Sequence, residues 1–178
     1  TAVAALQLID AGRLSLDDPA SRYLPELADP LVLESFDPAT GASRLRPAKS
    51  PITVRHLFTH TSGFGYGFTS ERLNQLRARE GYTGPADPLL FEPGSAWLYG
   101  TSTDWLGKIV ASVAGCDLES LFRRTITGPL GMHDTSYDVP TEKHPRTVNL
   151  QLRQQDGGFA EHPRQRTDAK TVYRGGGG

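Results

Sequence analysis

Apolar residues along the chain recur at helical spacing in some stretches and alternate or vanish in others. Ala2, Ala5, Leu6 and Ile9 fall at i, i+3, i+4 and i+7 and predict a helix over 2–11, with Gly12 as its left-handed stop. Asp18 before Pro19 reads as an N-cap with proline at the first helical position, opening a short turn toward Tyr23 and Leu24. Residues 31–36, a long turn over 37–41 and residues 43–46 predict a hairpin. Thr53 caps a short helix carrying Val54, Leu57 and Phe58, which runs into His60-Thr61-Ser62-Gly63. Residues 63–69 hold three glycines and three aromatic residues and predict a loop. Thr69 or Ser70 then caps a polar helix to Glu80, ended by Gly81.

Residues 94–99 read as a turn and a short strand. The clearest helix covers 102–114: Trp105, Leu106, Ile109, Val110 and Val113 form its stripe and Gly115 its stop. Asp117 caps a helix through Leu121 and Phe122 that ends at Gly128-Pro129. After Pro140 the chain is polar, without clear periodicity until Val172. No repeat and no linker divides the chain. The pattern predicts one mixed α and β domain in which helices dominate. The sheet appears only as fragments, so the helical lobe should pack against a sheet lying mostly outside this chain.

Composition narrows the functional classes. With 19 Lys and Arg against 20 Asp and Glu, the net charge of −1 gives no electrostatic case for nucleic acid or an anionic membrane surface. No apolar run approaches the roughly 20 residues that span a bilayer. Glycine (19) and proline (13) make the chain loop-rich but leave it below the roughly 25–30% typical of low-complexity segments. One cysteine, Cys116, excludes an internal disulfide and a multi-cysteine zinc site. The chain starts at Thr1 inside a helical pattern with no cap or lead-in, its sole methionine is Met132, and it stops on four glycines. It therefore reads as an internal piece of something longer. No signal peptide is visible, which favours a cytoplasmic location.

Most candidate chemistry has a plainer reading. His56 and His60 stand four apart, as two metal ligands on one helix face would, but Leu57 replaces the glutamate of a metalloprotease motif. They read as structural, with His60 bonding backbone at the loop. Ser62 lacks the first glycine of a nucleophile elbow and Ser43 the second, so both read as turn or hairpin serines. A Ser-x-x-Lys pair needs serine three before lysine. Arg46, Trp105, Pro140 and Thr167 precede Lys49, Lys108, Lys143 and Lys170 instead. Cys116 before a helix cap reads as a small junction residue. Tyr99 lies just before the clearest helix, where a helix N-terminus favours a phenolate and a cationic neighbour would bring it into the range of a general base. A buried structural tyrosine is the plainer reading of the same position.

Several blocks taken together resemble the serine β-lactamase-like superfamily, in the branch of class C β-lactamases and family VIII carboxylesterases. They are Ala4-Ala5-Leu6-Gln7-Leu8-Ile9-Asp10-Ala11-Gly12-Arg13-Leu14 through Asp18-Pro19 and Arg22-Tyr23-Leu24-Pro25; Ile52-Thr53-Val54-Arg55-His56-Leu57-Phe58-Thr59-His60-Thr61-Ser62-Gly63; Phe91-Glu92-Pro93-Gly94; Trp97-Leu98-Tyr99-Gly100-Thr101-Ser102-Thr103-Asp104-Trp105; and Thr127-Gly128-Pro129-Leu130-Gly131-Met132. The resemblance runs to about Val139, with the 175–178 tetraglycine as a later anchor. It implies an α+β fold: a helical lobe plus a partial antiparallel sheet of the serine β-lactamase/penicillin-binding-protein-like fold, incomplete at both ends. Residues 1–178 would be a single partial domain, without the upstream Ser-x-x-Lys segment and the C-terminal strands.

The implied chemistry is acyl transfer through an acyl-enzyme, and Tyr99 matches the family's catalytic tyrosine. Thr101 stands where β-lactamases usually carry asparagine, and Thr103-Asp104 follows, which favours the esterase branch. The resemblance thus implies a carboxylesterase acting on short-chain esters, with a small-molecule ester or lactam as partner, no cofactor and no metal. Its serine would lie about five residues before Thr1 and its lysine about two, so these 178 residues alone would not turn over substrate. The alternatives are a non-catalytic penicillin-binding-protein-like binding module and a β-lactamase.

Overall fold

The computed structural model describes residues 1–82, 87–162 and 175–176. Val172, Gly177, Gly178, Thr167 and Lys170 of the sequence reading lie outside them. Helix α1 (Ala2–Asp10) buries Ala4, Ala5 and Leu8. Leu6 faces outward, so the buried stripe is offset from the expected Ala2–Ala5–Leu6–Ile9 face. A helix apolar on most sides offers more than one candidate face, and the small Ala4 and Ala5 let a neighbour approach closely. Gly12 is left-handed, as the pattern predicts. Asp18 does not act as a helix cap. Pro19 itself precedes a 3₁₀ turn (Ala20–Arg22) and bridges to Thr53, while the Asp18 carboxylate accepts hydrogen bonds from Arg22 and the Tyr23 hydroxyl.

Strands β1 (Leu31–Phe36) and β2 (Ser43–Pro47) form the expected antiparallel hairpin, from Leu31 opposite Pro47 to Phe36 opposite Ser43, irregular at Leu33–Ser35. Leu89 adds a parallel bridge to β1. Helix α2 (Val54–Phe58) opens with a capping box: the Thr53 hydroxyl accepts from the His56 amide and His56 Nδ1 accepts from the Thr53 amide, both at 3.2 Å. Ser70 caps α3 (Glu71–Glu80), which buries Leu73 and Leu76.

Helix α4 (Ser102–Ala114) carries the predicted stripe into the core through Trp105, Leu106, Ile109 and Val110. Asp117 caps α5 (Leu118–Phe122) as expected. The helix then widens into a π-helical turn (Arg123–Thr127) closed by a bond from the Gly128 amide to the Arg123 carbonyl. A Cβ on Gly128 would fall 2.3 Å from that carbonyl oxygen, so glycine permits the wide turn.

The polar stretch after Pro140 contains a 3₁₀ turn (Thr141–Arg146) and a second antiparallel hairpin, β3 (Leu150–Arg153) with β4 (Phe159–His162). The sequence reading missed this hairpin. Its strands span four residues each, and an alternation that short does not rise above its polar surroundings.

The core gathers on α4, against which α1, α2 and α5 pack, with Leu14, Ile52, Phe64 and Leu89 filling between them. The architecture is therefore α+β, a helical body with small antiparallel hairpins. Among the described residues no helix is long and apolar enough to cross a membrane. Ile109 is fully buried at the centre of this packing. Ile109→Val should cost about 0.5–1.5 kcal/mol and Ile109→Ala about 2–5 kcal/mol, measured as the shift of the urea unfolding midpoint.

Candidate active site

The loop over 60–69 and the segment over 90–99 are bound together before either meets α4. The Thr61 carbonyl accepts from the Gly94 amide (2.8 Å), the His60 carbonyl from the Leu98 amide (3.0 Å), and the Gly63 carbonyl from the Leu90 amide (2.8 Å). No strand forms over 94–99; the expected strand is replaced by this loop-to-loop pairing, because its partner turns instead of extending. Two glycines permit the closeness. Gly63 is left-handed (φ 95) and a Cβ there would meet the Phe91 carbonyl oxygen at 2.5 Å. A Cβ on Gly100 would meet the Phe64 carbonyl oxygen at 2.2 Å.

The first turn of α4 then grips the loop with three consecutive side chains. Ser102 Oγ and Ser62 Oγ share a hydrogen bond of 2.8 Å, both hydroxyls buried. Thr103 Oγ1 and His60 Nε2 stand 3.3 Å apart, a hydrogen bond whose donor depends on the ring tautomer. Asp104 Oδ2 accepts from the Tyr66 hydroxyl at 3.0 Å, and Oδ1 accepts from the Gly176 amide at 2.9 Å. Ser62 also accepts from the Phe64 amide, so it is an internal tie and not an exposed nucleophile. Ser43 hydrogen-bonds to Glu80.

Tyr99 lies between the elements so joined. Its ring centroid is 5.0 Å from that of His60 and 5.4 Å from that of Tyr66. It is 44% exposed within these 178 residues: the described residues support the ring from behind and do not enclose it. Its carbonyl accepts from the Thr69 hydroxyl. Trp97 and Phe68, 67% and 80% exposed, extend the same ring cluster through the two neighbours of Tyr99. Trp97 meets the His60 ring edge-on, and Phe68 stacks on Tyr66. Tyr66 and Phe68 also line an open surface depression of about 520 Å³, together with Ser70, Asn74 and Arg77. Arg77 binds the buried Asp87 carboxylate.

The expected backbone bond of His60 is not made by its ring, whose Nε2 meets the Thr103 hydroxyl; it is His56 whose ring accepts from a backbone amide, that of Thr53. His60 is left-handed at φ 55, a conformation that costs a non-glycine residue about 1–2 kcal/mol. Its Nδ1 is buried without a hydrogen-bond partner among the described residues, as is Thr101 Oγ1. Burial lowers the pKa of His60; burial first and the Arg55 charge second lower that of His56. Among the described residues no group of three or more His, Cys, Asp or Glu is placed to hold a metal ion. The sequence reading missed the contacts of Ser102, Thr103 and Asp104 with the loop. Their signal is only that three adjacent polar residues open an otherwise apolar helix.

A family model described as Beta-lactamase matches residues 1–178, and the chain belongs to that family. It is 38% identical over 149 residues to a monacolin J acid methylbutanoyltransferase of Aspergillus terreus, covering 78% of this chain and 36% of that protein. It is 35% identical over 170 residues to a lovastatin esterase of Penicillium rubens, covering 89% of this chain and 41% of that protein. A mutant simvastatin synthase from Aspergillus terreus superposes with a TM-score of 0.89 at 35% identity, over 97% of this chain and 44% of that one. The chain thus spans about two fifths of the length of these relatives.

Removing Ser62 deprives the buried Ser102 hydroxyl of its partner, and removing Ser102 leaves the buried Ser62 hydroxyl with the Phe64 amide alone. Ser62→Ala and Ser102→Ala should each cost about 1–3 kcal/mol, and the double variant clearly less than their sum, in a double-mutant cycle by urea denaturation. The lowered pKa values of His56 and His60 mean that the unfolded chain binds these protons first. Stability should therefore fall as pH drops below their ordinary value of 6.5, and His60→Asn should flatten that fall in thermal melts across the range.

Proposed function

We propose that these 178 residues are part of one β-lactamase-like catalytic domain, without its Ser-x-x-Lys segment and C-terminal strands. In this reading the intact protein is a serine acyl-transfer enzyme, a carboxylesterase acting on short-chain esters. The observation that carries the reading is Tyr99, exposed at the head of α4 and backed by two rings. A general base must reach solvent or substrate and keep its orientation, and this position meets both needs. The serine of the intact protein attacks the ester carbonyl. Tyr99 takes part in moving the serine proton to the departing alcohol, and water then releases the acyl group. The exposed faces of Trp97 and Phe68 in the same ring cluster as Tyr99 suit an apolar acyl or alcohol group.

A second reading has a specific observation in its favour. Relatives named as a methylbutanoyltransferase and a simvastatin synthase suggest that an alcohol, in place of water, accepts the acyl group. The two readings share every step up to the acyl-enzyme and differ in the acceptor. A β-lactam as the main substrate is less favoured. Where β-lactamases usually present an asparagine amide, Thr101 holds a hydroxyl that is itself buried.

In the intact protein, Tyr99→Phe should lower kcat/KM for p-nitrophenyl butyrate by about 10²–10⁴-fold with the melting temperature unchanged. Full activity in that variant would reject the assignment. Added alcohol that diverts the acyl group into a new ester would choose the transferase reading. Nitrocefin turnover faster than ester turnover would choose the lactamase reading. The 178-residue chain alone should turn over neither substrate.

A further inference from the structure

Among the described residues Tyr99 makes its ring contacts with two aromatic side chains, and each of these is tied to the first turn of α4. His60 meets the Tyr99 ring at 5.0 Å and reaches Thr103 through Nε2 at 3.3 Å. Tyr66 meets it at 5.4 Å and donates its hydroxyl to Asp104 at 3.0 Å. The backbone closes the same frame: the His60 carbonyl holds the Leu98 amide, and the Thr69 hydroxyl shares its proton between the Tyr66 and Tyr99 carbonyls, at 2.9 and 3.1 Å. We propose that His60 and Tyr66 are positioning residues, a bracket that fixes the direction of the Tyr99 ring, with Thr103 and Asp104 as its anchors on α4. This inference rests on the catalytic reading of Tyr99 and deepens it.

Three features support a bracket over simple packing. Both rings stand in direct contact with Tyr99, tilted at 48° and 56° to its plane with centroids 5.0 and 5.4 Å away, so rotation of the phenol must displace one or both of them. His60 reaches this place only by adopting a left-handed backbone, a strain that surrounding structure must hold. The His60 ring also wedges against Trp97, so a single side chain sets two of the aromatic residues that face outward from this segment. An exposed side chain carrying proton chemistry loses rate sharply when its direction drifts, because productive geometry tolerates little misplacement.

The test uses the intact protein and p-nitrophenyl butyrate. His60→Asn keeps a residue that tolerates the left-handed conformation but removes the ring. It should lower kcat by about 10-fold or more with KM within about twofold, since misplacement weakens the reacting geometry and not substrate binding. Thr103→Val and Tyr66→Phe keep both rings and remove the hydroxyls that anchor them to α4. Each should lower kcat by about threefold, and the two together by more than either alone. These mild variants decide the question if His60→Asn fails to fold. Unchanged kcat in Thr103→Val, Tyr66→Phe and their combination, while Tyr99→Phe is inactive, would overturn the bracket and leave the catalytic reading standing. A rise in KM with kcat unchanged would overturn it too, by showing a substrate-binding wall. Activity retained in Tyr99→Phe would remove the reading on which the bracket rests.

Discussion

The contact between the first turn of α4 and the loop over 60–66 is the constraint on which the rest of the candidate site depends. Ser102, Thr103 and Asp104 are consecutive, yet they reach Ser62, His60 and Tyr66 in turn. A helix rotates about 100° per residue, so three successive side chains engage a partner only if it wraps the helix end. The loop does so because His60 and Gly63 turn left-handed and Gly100 lets the backbones close. With the loop fixed, the segment over 90–98 is fixed by three backbone hydrogen bonds, and Tyr99 follows from it.

The same helix serves a different purpose along its remaining length. Trp105, Leu106, Ile109 and Val110 face the interior, where α1, α2 and α5 pack, and give α4 a rigid seat. The polar first turn and the apolar body divide the work: burial holds the helix, and the helix end holds the loop. A side chain mounted on such a frame can be exposed and still directed. Proton transfer at a surface cleft needs that combination, since a free tyrosine would spend most of its time turned away.

Much of this was legible from residue order, where the determinants are local. The caps at Thr53, Ser70 and Asp117 and the stripe of α4 all operate within one or two turns, so their signals lie side by side in the chain. Tyr99 stood out from its place before α4, and the catalytic role proposed for it came from resemblance and not from spacing. What the sequence hid is non-local. The partners of Ser102, Thr103 and Asp104 lie some 40 residues away, and no local pattern pairs them. The α1 face was misjudged because Leu6 and Leu8 are equally apolar and only the neighbour chooses between them. The proposed cap at Asp18 failed because its carboxylate found Arg22 and Tyr23 instead. The strand expected over 94–99 became a loop-to-loop pairing for a similar reason, since its partner is a turn.

The central claim is that this frame directs the Tyr99 hydroxyl at the serine that carries the acyl group. The most direct measurement is a crystal structure of the intact protein with its serine trapped by a covalent phosphonate. The account predicts Tyr99 Oη within hydrogen-bond reach of the modified serine oxygen, about 2.6–3.2 Å, with the His60 and Tyr66 rings still against it. A Tyr99 hydroxyl turned to solvent, with a different side chain at the serine oxygen, would contradict it.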